Sequence, residues 1–199
     1  MAVSIDDIKK LKELTGVGLG DAKQALVESD GDFDKALEAM RKKGLTKAEK
    51  KGDRETREGI IDSYVHSDRI GVVVEVNCET DFVARLPEFR EFAHHMAMQI
   101  AAMAPEYPTM DDVPAEDMEA KRQELLASDA LRGKPADMAE KIVEGQLSKH
   151  FAEKVLTEQV FVLDDSKTVG ERIKEQIAQH GENIRVSQFK RIELGVSDV

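Results

Sequence analysis

The strongest constraint on the fold is a run of β-branched residues, Ile70–Val76, with the sequence IGVVVEV. Such residues fit a pleated sheet and lose side-chain freedom in a helix. A similar run, Ile60–His66, precedes it, and Ser67-Asp68 lies in the short polar stretch between them. This spacing predicts a β-hairpin. The alternating segment Ile184–Leu194 predicts a later strand, so we expect a small antiparallel sheet.

Apolar residues at helical spacing predict helices around this sheet. One begins near Leu86 and ends near Met103, before two prolines. Glu116–Ala127 and Pro135–His150 predict two amphipathic helices that pair as a projecting hairpin, an arm at about residues 116–150. A short strand is expected at Gln159–Leu163, and Thr168 is expected to cap a helix that ends near Gln179. The predicted fold class is therefore α+β.

The first 44 residues have a different pattern. Three short helices are predicted, the second from Leu19 to about Glu28 and the third from a cap at Asp32 to Gly44. The glycines that follow the first helix allow backbone angles that a helix cannot use. The predicted domain, residues 1–44, resembles the three-helix ubiquitin-associated (UBA-like) type of domain.

The next stretch is basic, and residues 45–57 are predicted to form a linker. Arg41–Arg57 holds eight basic and three acidic residues, which is +5 in a chain of net charge −11. Few large apolar residues interrupt it, so it is expected to be solvated. It is either a flexible tether or a contact surface for an acidic partner. The remaining residues, 58–199, are predicted to form the α+β core domain.

Composition excludes several classes of protein. A net charge of −11 disfavours direct binding to nucleic acid through phosphate neutralisation. The lone thiol, Cys78, allows no disulfide framework and suits a reducing compartment. No apolar run approaches the about 18 residues that cross a membrane, and no basic and apolar leader opens the chain. We therefore expect a cytoplasmic protein that does not bind membranes.

Catalytic patterns are weak. Cys78 with His94 or His95 is a formal nucleophile and base, although a thiol at a strand end is more often structural. Adjacent histidines lack the i, i+4 spacing of a helical metal site. The glycines at 16, 18 and 20 follow a helix instead of the strand that a phosphate loop requires. We expect a binding protein with no cofactor, no metal and no catalytic residue.

The segment NCETDFVAR, Asn77–Arg85, places Phe82 beside Asp81 where a strand ends. Two interpretations are open. Asp81 could cap the helix that begins near Leu86, with Phe82 folded back onto that helix. Alternatively, Phe82 is exposed and anchors an interface, since a rigid aromatic ring buried in a partner's pocket contributes strongly to binding.

Five motifs in order carry a resemblance to a known family. They are VEVNCETDFVAR (Val74–Arg85), LTGVGLGDAKQAL (Leu14–Leu26), FAHHMAMQIAAMAPEY (Phe92–Tyr107), KPADMAEKIVEGQLSKHFAE (Lys134–Glu153) and LTEQVFV (Leu156–Val162). Together they closely resemble the elongation factor Ts family, the guanine-nucleotide exchange factors for elongation factor Tu in bacterial-type translation. The likeness covers nearly the whole chain.

The resemblance implies a function and a mechanism. In this family the turn that matches Thr80, Asp81, Phe82 and Val83 enters the G domain of elongation factor Tu near the magnesium ion and the nucleotide phosphates. Phe82 is implied to wedge between G-domain helices and, with Asp81, to disturb magnesium coordination. Because the cation is among the largest local charges there, its loss weakens nucleotide binding. No covalent bond changes, so no enzymatic activity is implied.

Other contacts are implied by the same resemblance. His95 matches a family histidine that approaches the phosphate-binding loop of the partner, whereas Gln99 stands where a second histidine is common. Val17, Leu19 and Gly20 fall where the family presents apolar side chains to the G domain, and Gly20 departs from that pattern.

The chain is similar to the short members of the family, since only one strand and helix core follows the linker. Long members carry two related core subdomains, and in short members a homodimer supplies the paired arrangement. A homodimer is therefore implied here. The competing hypothesis, from the three-helix domain alone, is an adaptor that binds a ubiquitin-like protein.

Overall fold

The computed structural model describes residues 3–15, 18–49, 51–128 and 135–196, and these residues adopt an α+β fold, as predicted. The helices are α1 Ile5–Thr15, α2 Leu19–Glu28, α3 Phe33–Glu49, α4 Asp81–Ala84, α5 Pro87–Met103, α6 Ala115–Leu126, α7 Ala136–Lys154 and α8 Val169–His180. The strands are β1 Glu58–His66, β2 Ile70–Cys78, β3 Val160–Phe161, β4 Asp164–Thr168 and β5 Arg185–Glu193. Short 3-10 turns occupy Met110–Asp112 and Leu156–Glu158.

Strands β1, β2 and β5 form an antiparallel sheet with β2 in the centre. The predicted hairpin is confirmed: β1 and β2 pair from Glu58 with Cys78 to His66 with Ile70. Its turn uses Ser67 and Asp68 at φ of 50° and 56°, left-handed values at which the short polar residues Asn and Asp are enriched. The predicted third strand is β5, which pairs with the free edge of β2.

One face of the sheet is covered by α5, and α8 contributes side chains to the same core. The buried core contains side chains that point inward from β2, the apolar face of α5 and part of α8, namely Val72, Val74, Val76, Phe89, Phe92, Met96, Ile100, Ile173 and Ile177. The other face of the sheet is open within the described residues. It exposes Ile61, Val65, Val73 and Ile192.

The first three helices pack around a small core of their own, formed by Leu11, Ala22, Ala25, Leu26, Ala36 and Met40. Helix α3 continues through Gly44 to Glu49, beyond the end expected from the sequence. Leu, Lys, Ala and Glu are good helix formers, and a single glycine costs a helix only about 1 kcal/mol. The first part of the predicted linker is therefore helical, while the domain boundary itself stays a prediction.

The later part of the linker is hydrogen-bonded to the core domain. The ammonium group of Lys51 donates a hydrogen bond to the carbonyl oxygen of Gly181. The side-chain amide of Asn183 donates to the carbonyl oxygens of Gly52, at 3.0 Å, and Arg54, at 2.7 Å. Both anchoring residues belong to the loop that joins α8 to β5, so this loop fixes the path of the linker.

Helices α6 and α7 form the predicted hairpin. Arg122 and Glu140 make a salt bridge of 3.1 Å between them, and Val113, Phe151 and Val155 form a small core at the base of the hairpin. Residues 129–134, between the two helices in sequence, lie outside the described part of the chain. No helix in the described ranges is both long and apolar enough to cross a bilayer.

Candidate functional site

The exposed turn after β2 is the most distinctive surface feature. Helix α4 is a single turn in which Val83 and Ala84 are buried in the core at 7% and 5% exposure. Phe82 on the same turn is 80% exposed. Because the apolar side of the short helix packs into the core, the Phe82 ring points into solvent. Val83 is part of the core.

The interpretation in which Asp81 caps a helix and Phe82 folds back is wrong. The N-cap of α5 is Leu86, and no side chain caps that helix. Instead, the carboxylate of Asp81 makes a salt bridge of 2.8 Å with Arg85. Thr80 occupies the N-cap position of α4.

The turn is fastened by a residue distant in sequence, Glu182. One oxygen of its carboxylate, Oε2, accepts hydrogen bonds from the backbone N–H groups of Glu79, at 3.1 Å, and Thr80, at 3.0 Å. The other oxygen accepts from the Thr80 hydroxyl at 2.6 Å. The segment immediately before Asp81 thus has its donors satisfied by a single carboxylate, which limits its freedom to move.

Glu79 makes the reciprocal contact. Its carboxylate accepts a hydrogen bond of 2.6 Å from the backbone N–H of Asn183 and lies 3.5 Å from the guanidinium group of Arg54. The two glutamates therefore join the strand end of β2 to the loop before β5. Sequence reasoning missed this pair, because no local pattern connects positions about a hundred residues apart. The only local signal was a polar pair, Glu182-Asn183, between a helix-ending glycine and a β-branched strand.

Cys78 is part of the same structural unit. Its thiol is fully buried and donates a hydrogen bond of 3.1 Å to the carbonyl oxygen of Thr80. Burial raises its pKa to about 11, and the negative charge of Glu182 acts in the same direction. A buried thiol that stays protonated at neutral pH is a poor nucleophile, which argues against the hypothesis of a Cys78-dependent enzyme.

His95 lies on α5, eight residues after Pro87, which corresponds to about 12 Å along the helix. The imidazole is partly buried, and this burial lowers the pKa of His95, with the charge of Glu91 acting in the opposite direction. Its neighbour His94 faces the sheet edge instead, where Nδ1 lies 2.9 Å from a carboxylate oxygen of Asp62.

Gln99 is fully buried, although the family commonly has a histidine at its position. Its amide nitrogen donates to the side-chain oxygen of Gln159 at 3.2 Å and to the carbonyl oxygen of Val160 at 3.1 Å. Its amide oxygen accepts from the N–H of Val162 at 2.8 Å. Gln99 therefore ties α5 to strand β3 and is not at the surface.

The predicted N-terminal contact residues lie on a separate element. Leu19 and Gly20 are exposed in the first turn of α2, and a Cβ added to Gly20 would meet no atom within 4 Å. Val17 falls outside the described residues. In the described ranges, no three His, Cys, Asp or Glu side chains converge in a way that could hold a metal ion.

The fold and this turn define an α+β protein that presents the exposed ring of Phe82 on a turn held by hydrogen bonds. Comparison with known proteins identifies the family: residues 21–196 match the family model described as Elongation factor TS. The chain is 54% identical to elongation factor Ts of Thermotoga neapolitana and 53% identical to that of Thermotoga maritima, each over 196 residues and 98% of both chains. It is 50% identical to elongation factor Ts of Carboxydothermus hydrogenoformans over 189 residues, 94% of this chain and 87% of that one.

This chain therefore belongs to the elongation factor Ts family. The competing adaptor hypothesis explains only the first 44 residues, whereas the family match begins at residue 21 and runs to residue 196.

Proposed function

We propose that this protein is a guanine-nucleotide exchange factor that promotes release of GDP from elongation factor Tu. The observation that carries the proposal is the 80% exposure of Phe82 on a turn whose next two residues, Val83 and Ala84, are buried. Burying such a ring in a partner's pocket yields a large free energy, whereas leaving it in water serves no purpose for the free chain. The family to which the chain belongs supports the choice of partner.

The turn acts on the magnesium and phosphate site of the partner. Phe82 inserts between helices of the G domain, and Asp81 and Thr80 at its base approach the groups that orient the magnesium ion. Displacing that ion removes positive charge from between the phosphate oxygens, so GDP binds more weakly. By linkage, GDP weakens binding of the exchange factor by the same factor.

Two further contacts complete the proposed interface. Burial lowers the pKa of His95, which favours the uncharged imidazole and so reduces the cost of burying this ring in a partner surface. Leu19 is an exposed apolar residue on the N-terminal domain, and Gly20 beside it offers only backbone. Together with Val17 they form the proposed N-terminal contact.

We also propose that two copies associate through the open face of the sheet. Val65, Val73 and Ile192 are exposed on this face around Gly71, and Glu75 and Lys190 lie on the same face. Two copies related by a twofold axis would cover the apolar residues and bring opposite charges together.

Sedimentation of Val73→Lys tests this association of two copies, with Val27→Lys, at an exposed residue of α2, as the control. We expect Val73→Lys to be a monomer and Val27→Lys to keep the oligomeric state of the wild type. An unchanged oligomeric state of Val73→Lys would exclude this face.

The exchange function is tested by the release of a fluorescent GDP analogue from elongation factor Tu. Wild-type protein is expected to accelerate release, Phe82→Ala is expected to lose most of this effect, and Leu126→Ala, at an exposed apolar residue of α6, is expected to retain it. Equal acceleration by Phe82→Ala would remove Phe82 from the mechanism. No acceleration by the wild type would exclude the function itself.

A further inference from the structure

We propose that Glu182 is a positioning residue for exchange, which holds the turn carrying Phe82 in the orientation that enters the partner. The inference rests on the exchange function proposed above. It assigns a role to a residue that lies outside the exposed turn and far from it in sequence.

The first argument is the number of bonds to one side chain. The Glu182 carboxylate accepts from two consecutive backbone N–H groups and one hydroxyl, at 3.1, 3.0 and 2.6 Å, all in Glu79 and Thr80. Bonds to an ionised acceptor are about twice as strong as neutral ones. The three bonds fix the two residues that immediately precede Asp81, and so fix the direction in which α4 leaves the strand.

The second argument is that the Phe82 ring lacks packing contacts that could orient it. The ring is 80% exposed, so packing of its own side chain cannot orient it. Its direction depends on the backbone of α4, which is held by Val83 and Ala84 on the core side and by Glu182 at its start. Removing the carboxylate would leave the start of the turn with unsatisfied donors and free to move.

The third argument is that the loop before β5 also holds the linker. Gly181 accepts from Lys51, and Asn183 donates to the carbonyl oxygens of Gly52 and Arg54. Arg54 in turn lies 3.5 Å from Glu79. The loop therefore holds, through hydrogen bonds, both the turn that carries Phe82 and the segment that leads to the N-terminal domain. The Phe82 contact and the N-terminal contact proposed above both depend on this loop.

The test is a double-mutant cycle on GDP release, with Glu182→Ala, Phe82→Ala and the double variant. A residue that acts only through Phe82 gives non-additive effects. We expect Glu182→Ala to lower the acceleration about tenfold or more, as expected for a misplaced group, and to have no further effect in the Phe82→Ala background. Additive losses would overturn the inference and leave the exchange function standing.

Glu182→Gln is the conservative control. Its amide oxygen can still accept from both backbone N–H groups, and its nitrogen can donate to the Thr80 hydroxyl, so most of the acceleration should return. If Gln is as defective as Ala although both variants unfold at the same urea concentration as the wild type, positioning by these hydrogen bonds is excluded.

Amide hydrogen exchange of the free protein separates this inference from the function on which it rests. In Glu182→Ala, the amides of Glu79 and Thr80 should exchange faster, while the amides of β2 and α5 keep their protection. Unchanged protection at residues 79 and 80 would show that Glu182 does not hold the turn, whatever the effect on GDP release. If the wild-type protein does not accelerate GDP release from elongation factor Tu, the exchange function and this role in it are both overturned.

Discussion

The imidazole of His95 lies beside the ring of Phe161, with the two ring centroids 6.3 Å apart and the planes inclined by 58°. This contact joins α5 to the short strand β3 and removes part of the imidazole from water. The loss of hydration disfavours the charged form and lowers the pKa of His95. His180 at the end of α8 is shifted in the same direction, also chiefly by burial.

These two histidines predict a loss of stability in mild acid. Because their pKa values are lower in the folded protein, the unfolded chain binds protons more readily, and acid favours unfolding. The free energy of unfolding should hold above the unfolded histidine value of about 6.5 and fall as the pH drops below it. Urea unfolding at about pH 7.5 and about pH 5.5 measures the difference. A variant with His95→Gln and His180→Gln should lose less stability; an equal loss would contradict the assignment.

Two phenylalanines on neighbouring elements should behave in opposite ways. Phe82→Ala removes a ring that is 80% exposed and should change the free energy of unfolding by less than about 0.5 kcal/mol. Phe92→Ala removes a ring that is 1% exposed in the core and should cost about 3–5 kcal/mol. Chemical denaturation of both variants is the measurement. A large loss for Phe82→Ala would mean that its ring packs against the chain in solution.

The buried amide of Gln99 predicts a cost for an apolar replacement of similar size. In Gln99→Leu, the side-chain oxygen of Gln159, the carbonyl oxygen of Val160 and the N–H of Val162 lose this partner. Unsatisfied buried groups cost about 1–3 kcal/mol each, so a total loss of about 2–4 kcal/mol is expected. The exposed Gln24 of α2 is the control: Gln24→Leu loses one solvent-exposed hydrogen bond, to Glu28, and should cost no more than about 0.5–1.5 kcal/mol. Equal stability of Gln99→Leu and wild type would contradict the network.

Gly20 and Gly170 are both the second residue of a helix, yet they should respond differently to alanine. A Cβ at Gly20 meets no atom within 4 Å, so Gly20→Ala should stabilise the protein by about 0.5 kcal/mol. A Cβ at Gly170 would lie 2.9 Å from the carbonyl oxygen of Thr157, so Gly170→Ala should destabilise it. Thermal unfolding of the pair tests this contrast. If Gly170→Ala is as stable as Gly20→Ala, the helix must shift at no cost.

Local patterns were sufficient for most of the elements. The β-branched run in β2 and its polar turn predicted the hairpin, and the spacing of apolar residues predicted α5, the helical hairpin and α8. They failed at the ends of elements, where a local signal was misleading or missing. Helix α3 passes through Gly44, and the strand expected at Gln159–Leu163 pairs over only two residues, Val160–Phe161, before it turns into β4.

The sequence by itself determined the family and the α+β class, because motifs and periodicity are properties of neighbouring residues. It left two orientations open for Phe82, and the tertiary structure decided that its ring is exposed. Only the tertiary structure decided what holds Phe82 in place. Glu79 and Glu182 are brought together by the pairing of β5 with β2. Such a contact depends on which strands pair. Strand pairing in turn depends on how the whole chain buries its apolar surface, and no local pattern contains that information.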